Sequence, residues 1–243
     1  MAAFSEMKLH ADIKTGRFVQ RLNRFVCLVD LQEEGAVPVH VPSSGRMKEL
    51  LVPDAKVVVE PFSRAINHKT RGRLAKVLYD HGDHKCWVSV DSHLPNRLFS
   101  QAVKGRTLAE FASFTGLQPE VPFNGSRLDF LLESAEKTAL VEVKSVTLVE
   151  EGTALFPDAP TSRGARHIRD LINSLAAGFD AYVVFIIQRE DAAVFSPNRG
   201  TDPAFAQAVD EAAAAGVKVL AYDCQVTPRK VALRRRVPVA LRL

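Results

Sequence analysis

Two short apolar runs carry charges that a sheet interior ordinarily excludes. In Arg127-Leu-Asp-Phe-Leu-Leu132, Asp129 stands between Leu128 and Phe130; in Leu140-Val-Glu-Val-Lys-Ser145, Glu142 and Lys144 alternate with Val141 and Val143. Both runs are β-prone, and the two-residue period of a strand sends Glu142 and Lys144 to one face and the valines to the other. If the two strands pair, Asp129 approaches Glu142 at the edge of that face. Two neighbouring carboxylates repel and resist burial. A hard divalent ion, Mg²⁺ or Mn²⁺, held through oxygen ligands relieves both costs. Such an ion activates water and holds a phosphate oxygen, and an adjacent Lys144 would stabilise the developing charge or orient the water. On spacing alone, E-x-K reads first as a solvated ion pair worth at most about 1 kcal/mol.

The elements that must position these residues follow from patterning. From Gly16 to about Asp91, short β-rich runs alternate with turn residues: Arg17 to Leu31, Val37 to Val41, Lys56 to Phe62, Arg73 to Tyr79 and Cys86 to Val90. About five strands in under a hundred residues predict a small barrel, and an OB-fold fits that count. Pro95 opens a helical pattern over Asn96 to Lys104 and places a domain boundary near Ser92. A strand near Gln118 to Phe123 is joined by Asn124-Gly125, a strong hairpin signal, to the strand bearing Asp129. Thr147 to Ser162 reads as a loop, with Gly152, Pro157 and Pro160. A helix over Arg163 to Phe179 places Ile168, Leu171, Ile172 and Leu175 on one face. The uninterrupted run Ala181 to Gln188 predicts a strand buried on both sides. An alanine-rich helix from Pro203 to Ala215 and a strand from Val217 to Tyr222 follow. This order predicts an α/β layer with a mixed sheet. The tail from Thr227 to Leu243 reads as a charged edge strand or a phosphate-tracking ribbon.

Composition narrows the class. The 243 residues are 47% hydrophobic, enough for ordinary cores. The net charge of +4 is unevenly spread: 14 Lys+Arg stand against 11 Asp+Glu through Ser92, 12 against 17 from His93 to Asp223, and 6 against none thereafter. Basic ends around an acidic middle suit a polyanion held at the periphery of a metal centre. Candidate phosphate contacts are Arg21, Arg24, Arg46, Lys48, Arg64, Lys69, Arg71 and Arg73, with Phe18, Phe25 and Phe62 as either core residues or stacking surfaces. Cys27, Cys86 and Cys224 are widely spaced and show no CxxC pair, as expected of reduced thiols. His40 lacks a second ligand at metal spacing, and neither a GxxxxGK[ST] nor a GxGxxG loop is present. The start of the sequence lacks a signal-peptide core, and no apolar run is long enough to span a bilayer, so a soluble cytoplasmic location is expected.

The segments EVPFNGSRLDFLL from Glu120, VEVKSVTL and FPDAPTSRGARHIRDL resemble the sugar fermentation stimulation protein A family. So do RxxRF at Arg21 to Phe25, HVPSSGRM at His40 to Met47, LPN at Leu94 to Asn96 and GVKVLA at Gly216 to Ala221. The likeness spans nearly the whole chain. It implies an OB-fold-like nucleic-acid-binding domain over residues 1–92. It also implies a PD-(D/E)xK nuclease-like α/β domain over 93–243, ending in the basic tail. By that resemblance Asp129 and Glu142 are the metal carboxylates and Lys144 is the catalytic lysine, with Arg163, Arg166, His167 and Glu120 as accessory positions. Ser43-Ser44 stands where the family usually has Asn-Thr, and Gln101 where it usually has a glutamate. An amide ligates Mg²⁺ less well than a carboxylate.

Two functions follow as expectations. The first is a Mg²⁺- or Mn²⁺-dependent nuclease acting on DNA, with RNA as the other candidate. The alternative, implied by the family name, is a non-catalytic DNA-binding regulator of sugar (maltose) metabolism genes, although no helix-turn-helix is recognisable. A glycoside hydrolase ranks below both, because an adjacent lysine and basic ends suit phosphate better than a sugar.

Overall fold

The computed structural model describes residues 6–9, 12–62, 69–82 and 84–242. A short strand, β1 (Glu6–Lys8), precedes six strands that build a barrel: β2 (Lys14–Asn23), β3 (Val26–Asp30), β4 (Ala36–His40), β5 (Lys56–Pro61), β6 (Gly72–His81) and β7 (His84–Ser89). Their order is β4-β3-β2-β5-β6-β7, and a parallel contact of His40 with Arg73 joins β4 to β6. Five strands therefore close on themselves as an OB-fold barrel, and β7 extends β6. Alternation fills the interior with Phe18, Cys27, Val29, Val39, Val57, Val59, Leu74 and Val77, all buried. Gly16 lets β2 lie against β3, since a Cβ there would stand 2.4 Å from the Asp30 carbonyl oxygen.

The run from Arg17 to Leu31 is thus two strands rather than one. Asn23 breaks it: its Oδ1 accepts the Phe25 N–H at 2.9 Å, an Asx turn that reverses the chain.

The second part begins with α1 (Leu94–Lys104), which has Pro95 in its first turn. It continues through β8 (Gly116–Phe123), β9 (Ser126–Glu133), β10 (Thr138–Val146), β11 (Leu148–Glu150), β12 (Thr153–Phe156) and α2 (Ser162–Ala176). Then come β13 (Asp180–Ile187), β14 (Val194–Pro197), α3 (Pro203–Ala215), β15 (Lys218–Val226) and β16 (Lys230–Arg236). A seven-stranded mixed sheet has the order β1-β16-β15-β13-β10-β9-β8, parallel through β10, β13 and β15 and antiparallel outside them. Tyr182, Val184 and Ile186 of β13 face the core under α1, while Val183, Phe185 and Ile187 face the core under α2 and α3. That is why β13 reads as an unbroken apolar run.

Three expectations need correction. The start of the chain is not part of the barrel, because β1 pairs with β16 in the α/β sheet. The stretch 147–162 is not a plain loop: β11 and β12 form a hairpin and, with β14, a separate three-stranded sheet. The basic tail is neither edge nor free ribbon. β16 lies inside the sheet, Arg234 and Arg235 converge on the fully buried Asp223, and Arg236 meets Glu110 at 2.8 Å.

Candidate active site

The site forms where two strands part company. β9 and β10 pair antiparallel as far as Phe130 opposite Val141, while β10 continues beside β13 to Val146 opposite Ile187. Where the first ladder ends, the Val143 N–H donates to Asp129 Oδ2 at 2.8 Å. The carboxylate takes the place of a strand carbonyl. The Asn124-Gly125 turn, with φ of +47° and +75°, sets β9 in this register. From α1, Asn96 Nδ2 donates to Asp129 Oδ1 at 2.8 Å. Sequence marks Asn96 only as part of the LPN motif and as the first residue of a helical pattern, and the helical start at Pro95 is the signal for its position beside β9.

One residue beyond Val141, Glu142 is buried on the face covered by α2. Its Oε1 accepts from Lys144 Nζ at 2.5 Å and meets His167 Nδ1 at 2.6 Å. Arg163 Nε donates to His167 Nε2 at 3.3 Å across one helical turn. With Nε2 accepting from Arg163, Nδ1 carries a hydrogen and donates it to Glu142. Thr161 caps α2 by accepting the Gly164 N–H at 3.0 Å, and this fixes the turn that carries Arg163 and His167.

The two carboxyls are driven apart in acidity. Burial, and then the charge of Glu142, push Asp129 up to about 6, against the hydrogen bonds from Val143 and Asn96 and the pull of Lys144. Burial acts on Glu142 in the same direction, but Lys144 and His167 outweigh it and hold that carboxyl below its ordinary range. Glu142 Oε2 is buried with no hydrogen-bond partner. An ionised, buried oxygen without a donor, beside a second carboxylate, fits a hard divalent cation completed by water. His167 adjoins them through Glu142 Oε1, but among the described residues no three His, Cys, Asp or Glu side chains are grouped so as to hold a metal ion between them.

Other expected positions fall elsewhere. Glu120 stands across the β8–β9 ladder at the level of Asp129, between the pairs Pro119–Phe130 and Val121–Leu128. Its φ of +53°, however, turns its carboxylate out to solvent, 3.3 Å from Arg127. Gln101 is exposed on α1, and Arg166 is exposed on α2, on a different face from His167. Arg21 directs all its N–H groups at the carbonyls of Asn23, Arg24, Ser43, Gly45 and Arg46, so it shapes the 43–46 turn and has none left for phosphate. Arg73 is held by Glu60 at 2.6 Å and Asp91 at 3.1 Å. Arg24, Arg46, Lys48, Lys69 and Arg71 are exposed, and Arg71 lies 3.5 Å from Glu34. Arg64 lies outside the described residues. Phe18 is core, whereas Phe25 is 46% exposed.

Residues 19–90 match the family model described as the SfsA N-terminal OB domain, and residues 93–230 match that of the sugar fermentation stimulation protein RE domain. The sugar fermentation stimulation protein homolog of Desulforamulus reducens is 44% identical, over 92% of this chain and 91% of its own length. The homolog from Symbiobacterium thermophilum is also 44% identical, over 98% and 96%. Among solved structures, Pyrococcus furiosus SfsA in complex with Ca²⁺ matches with a TM-score of 0.86 at 30% identity, covering 97% of this chain and all of that one.

Proposed function

This chain belongs to the sugar fermentation stimulation protein family, and, given that membership and the site geometry, we propose that it is a divalent-metal-dependent nuclease. On this reading the barrel binds DNA, and the α/β domain cleaves a phosphodiester at Asp129, Glu142 and Lys144. The observation that carries the reading is the meeting of the buried Glu142, the half-buried Asp129 and a lysine where the β9–β10 ladder ends, with Glu142 Oε2 lacking any donor. The Ca²⁺ of the Pyrococcus furiosus relative supports a divalent ion held by oxygen ligands.

Asp129 and Glu142 would hold Mg²⁺. Bound there, the ion supplies Lewis acidity toward a phosphate oxygen and lowers the pKa of a water. The protein's own part is positional. Asn96 and the Val143 N–H aim the Asp129 carboxylate. Lys144 and His167 keep Glu142 ionised despite its burial. Lys144 Nζ, with one donor on Glu142, has two more to orient a water or meet charge developing on phosphorus.

The test is cleavage of labelled single- and double-stranded DNA and RNA with Mg²⁺, Mn²⁺ or EDTA, comparing wild type with folded Glu142→Ala and Lys144→Ala. Metal-dependent products that fall at least about a hundredfold in both variants are expected. A second reading, a DNA-binding regulator without turnover, is favoured by the exposed Gln101 and the missing third metal-ligating residue among those described. Binding without products on every substrate would select it.

A further inference from the structure

A cavity of about 270 Å³ opens between the barrel and the α/β domain, beside the catalytic strand. Ser145, the residue after Lys144, lines it, and so does Thr161, the cap of the helix that carries His167. The cavity is therefore continuous with the end of β10. Its walls combine the apolar Leu155 and Phe156 with hydroxyls such as those of Ser44 and Ser145 and with the carboxylate of Asp158. Asp158 is fixed by the Met47 N–H at 3.2 Å, and a Cβ at Gly45 would come within 2.6 Å of its Oδ2, so this wall is closely built.

Arg24 stands at the rim. It comes from the β2–β3 tip, where Leu22 and Phe25 are 51% and 46% exposed and the Arg24 guanidinium lies 5.5 Å from the Phe25 ring. Arg21 is spent on backbone carbonyls and Arg73 on Glu60 and Asp91, whereas Arg24 meets no carboxylate among the described residues. An uncommitted cation, an exposed aromatic ring and a partly apolar slot with hydrogen-bonding groups together match a nucleotide: phosphate on the guanidinium, base in the slot. A carboxylate inside the slot disfavours a phosphate there and accepts hydrogen bonds from a base's amino or imino groups. The volume is at the lower end of small-molecule sites, about 300 Å³, and is far too narrow for a duplex.

We infer that this cavity receives one unpaired nucleobase of the strand whose backbone passes Lys144, and that the substrate class is single-stranded or locally unpaired nucleic acid. The inference rests on the nuclease reading for its backbone path. A paired base cannot enter without leaving its stack.

The experiment uses the wild-type chain in EDTA with fluorescein-labelled 12-mers, read by anisotropy. The single strand is expected to bind at least about tenfold tighter than the duplex of the same sequence. Stepping one abasic nucleotide along it should reveal a single position where affinity drops roughly five- to a hundredfold, as for loss of one stacked base. Ser44→Trp, which places a bulky ring at an exposed lining position, should erase that position dependence while melting like wild type. Duplex binding equal to or tighter than single-strand binding, or an abasic scan with no sensitive position, overturns the inference, and neither result depends on the Ser44→Trp variant folding. Hydrolysis of bis(p-nitrophenyl) phosphate by the wild-type chain with Mg²⁺ tests the nuclease reading separately, since that diester has no base.

Discussion

Asn96 shows how the aim of a candidate metal carboxylate can rest on a neighbouring amide. It donates to one oxygen of Asp129 while the Val143 N–H holds the other. Asn96→Ala should leave the fold intact yet weaken Mg²⁺ binding and cleavage by about ten- to a hundredfold, the usual effect of losing a group that orients a metal ligand. Titration calorimetry and single-turnover cleavage would measure both. Asp129 also sets a pH dependence. Its carboxyl, pushed up to about 6, takes a proton as pH falls through that value, and that proton would compete with a divalent ion proposed there. Mg²⁺ affinity should therefore decline about tenfold per unit below pH 6, with one proton released per ion bound; calorimetry at pH 5 and 7.5 in two buffers would check this. That Asp129, Glu142 and Lys144 come together was legible because charges in β-prone runs are conspicuous. Glu120 was misread because pairing register does not reveal a positive φ, and Arg21 because sequence does not show which carbonyls surround a guanidinium.

Among the elements, those with strong periodicity were legible: the barrel strands, α2, α3, the doubly buried β13 and the Asn124-Gly125 hairpin. Those missed are short and lack a core of their own. β1 is three residues, Glu-Met-Lys, and exists through its pairing with β16. β11 and β12 hide among turn residues and are stabilised by β14, far off in sequence. One strand carries a charge that patterning cannot explain. Lys76 of β6 is 1% exposed, and its ammonium donates to the carbonyls of Thr227 at 2.5 Å and Lys230 at 3.1 Å, at the turn between β15 and β16. Burial pushes its pKa from the ordinary 10.5 down to about 7. Between those values the unfolded chain holds the proton and the folded chain does not, so stability should rise with pH above about 7 and level off near 10.5. Urea unfolding of wild type should show that rise, and Lys76→Met should lack it.

At the scale of the molecule, the two domains are joined by buried polar contacts. Asp91, 5% exposed, takes Arg73 of the barrel at 3.1 Å and Arg97 of α1 at 2.7 Å. Gln188 spans the same seam, donating to the Asp91 carbonyl at 3.2 Å and to Ser145 Oγ at 2.8 Å. Asp91→Ala leaves Arg97 unmatched and Arg73 with Glu60 alone, and should cost about 2 kcal/mol, less than the full figure for a buried pair because Arg97 is partly exposed and Arg73 keeps a partner. Denaturant unfolding would give that value. The seam also fixes the walls of the interdomain cavity, so the same variant should reduce single-strand preference more than it reduces metal binding. No helix among the described residues is long and apolar enough to cross a membrane.

The pairing of Glu6 with Ala232 makes the barrel an insertion: the chain enters the α/β sheet, leaves to build the barrel, and returns. On the ribosome, β1 emerges before the barrel but finds its partner only after more than two hundred further residues have been made. At about 5–20 residues per second, that interval is on the order of ten seconds or longer. The barrel, whose strand pairings all lie between Lys14 and Ser89, has time to fold in between. An unpaired first strand must then wait beside a finished domain, and its Glu6 and Lys8 make it a poor template for pairing with neighbouring chains meanwhile.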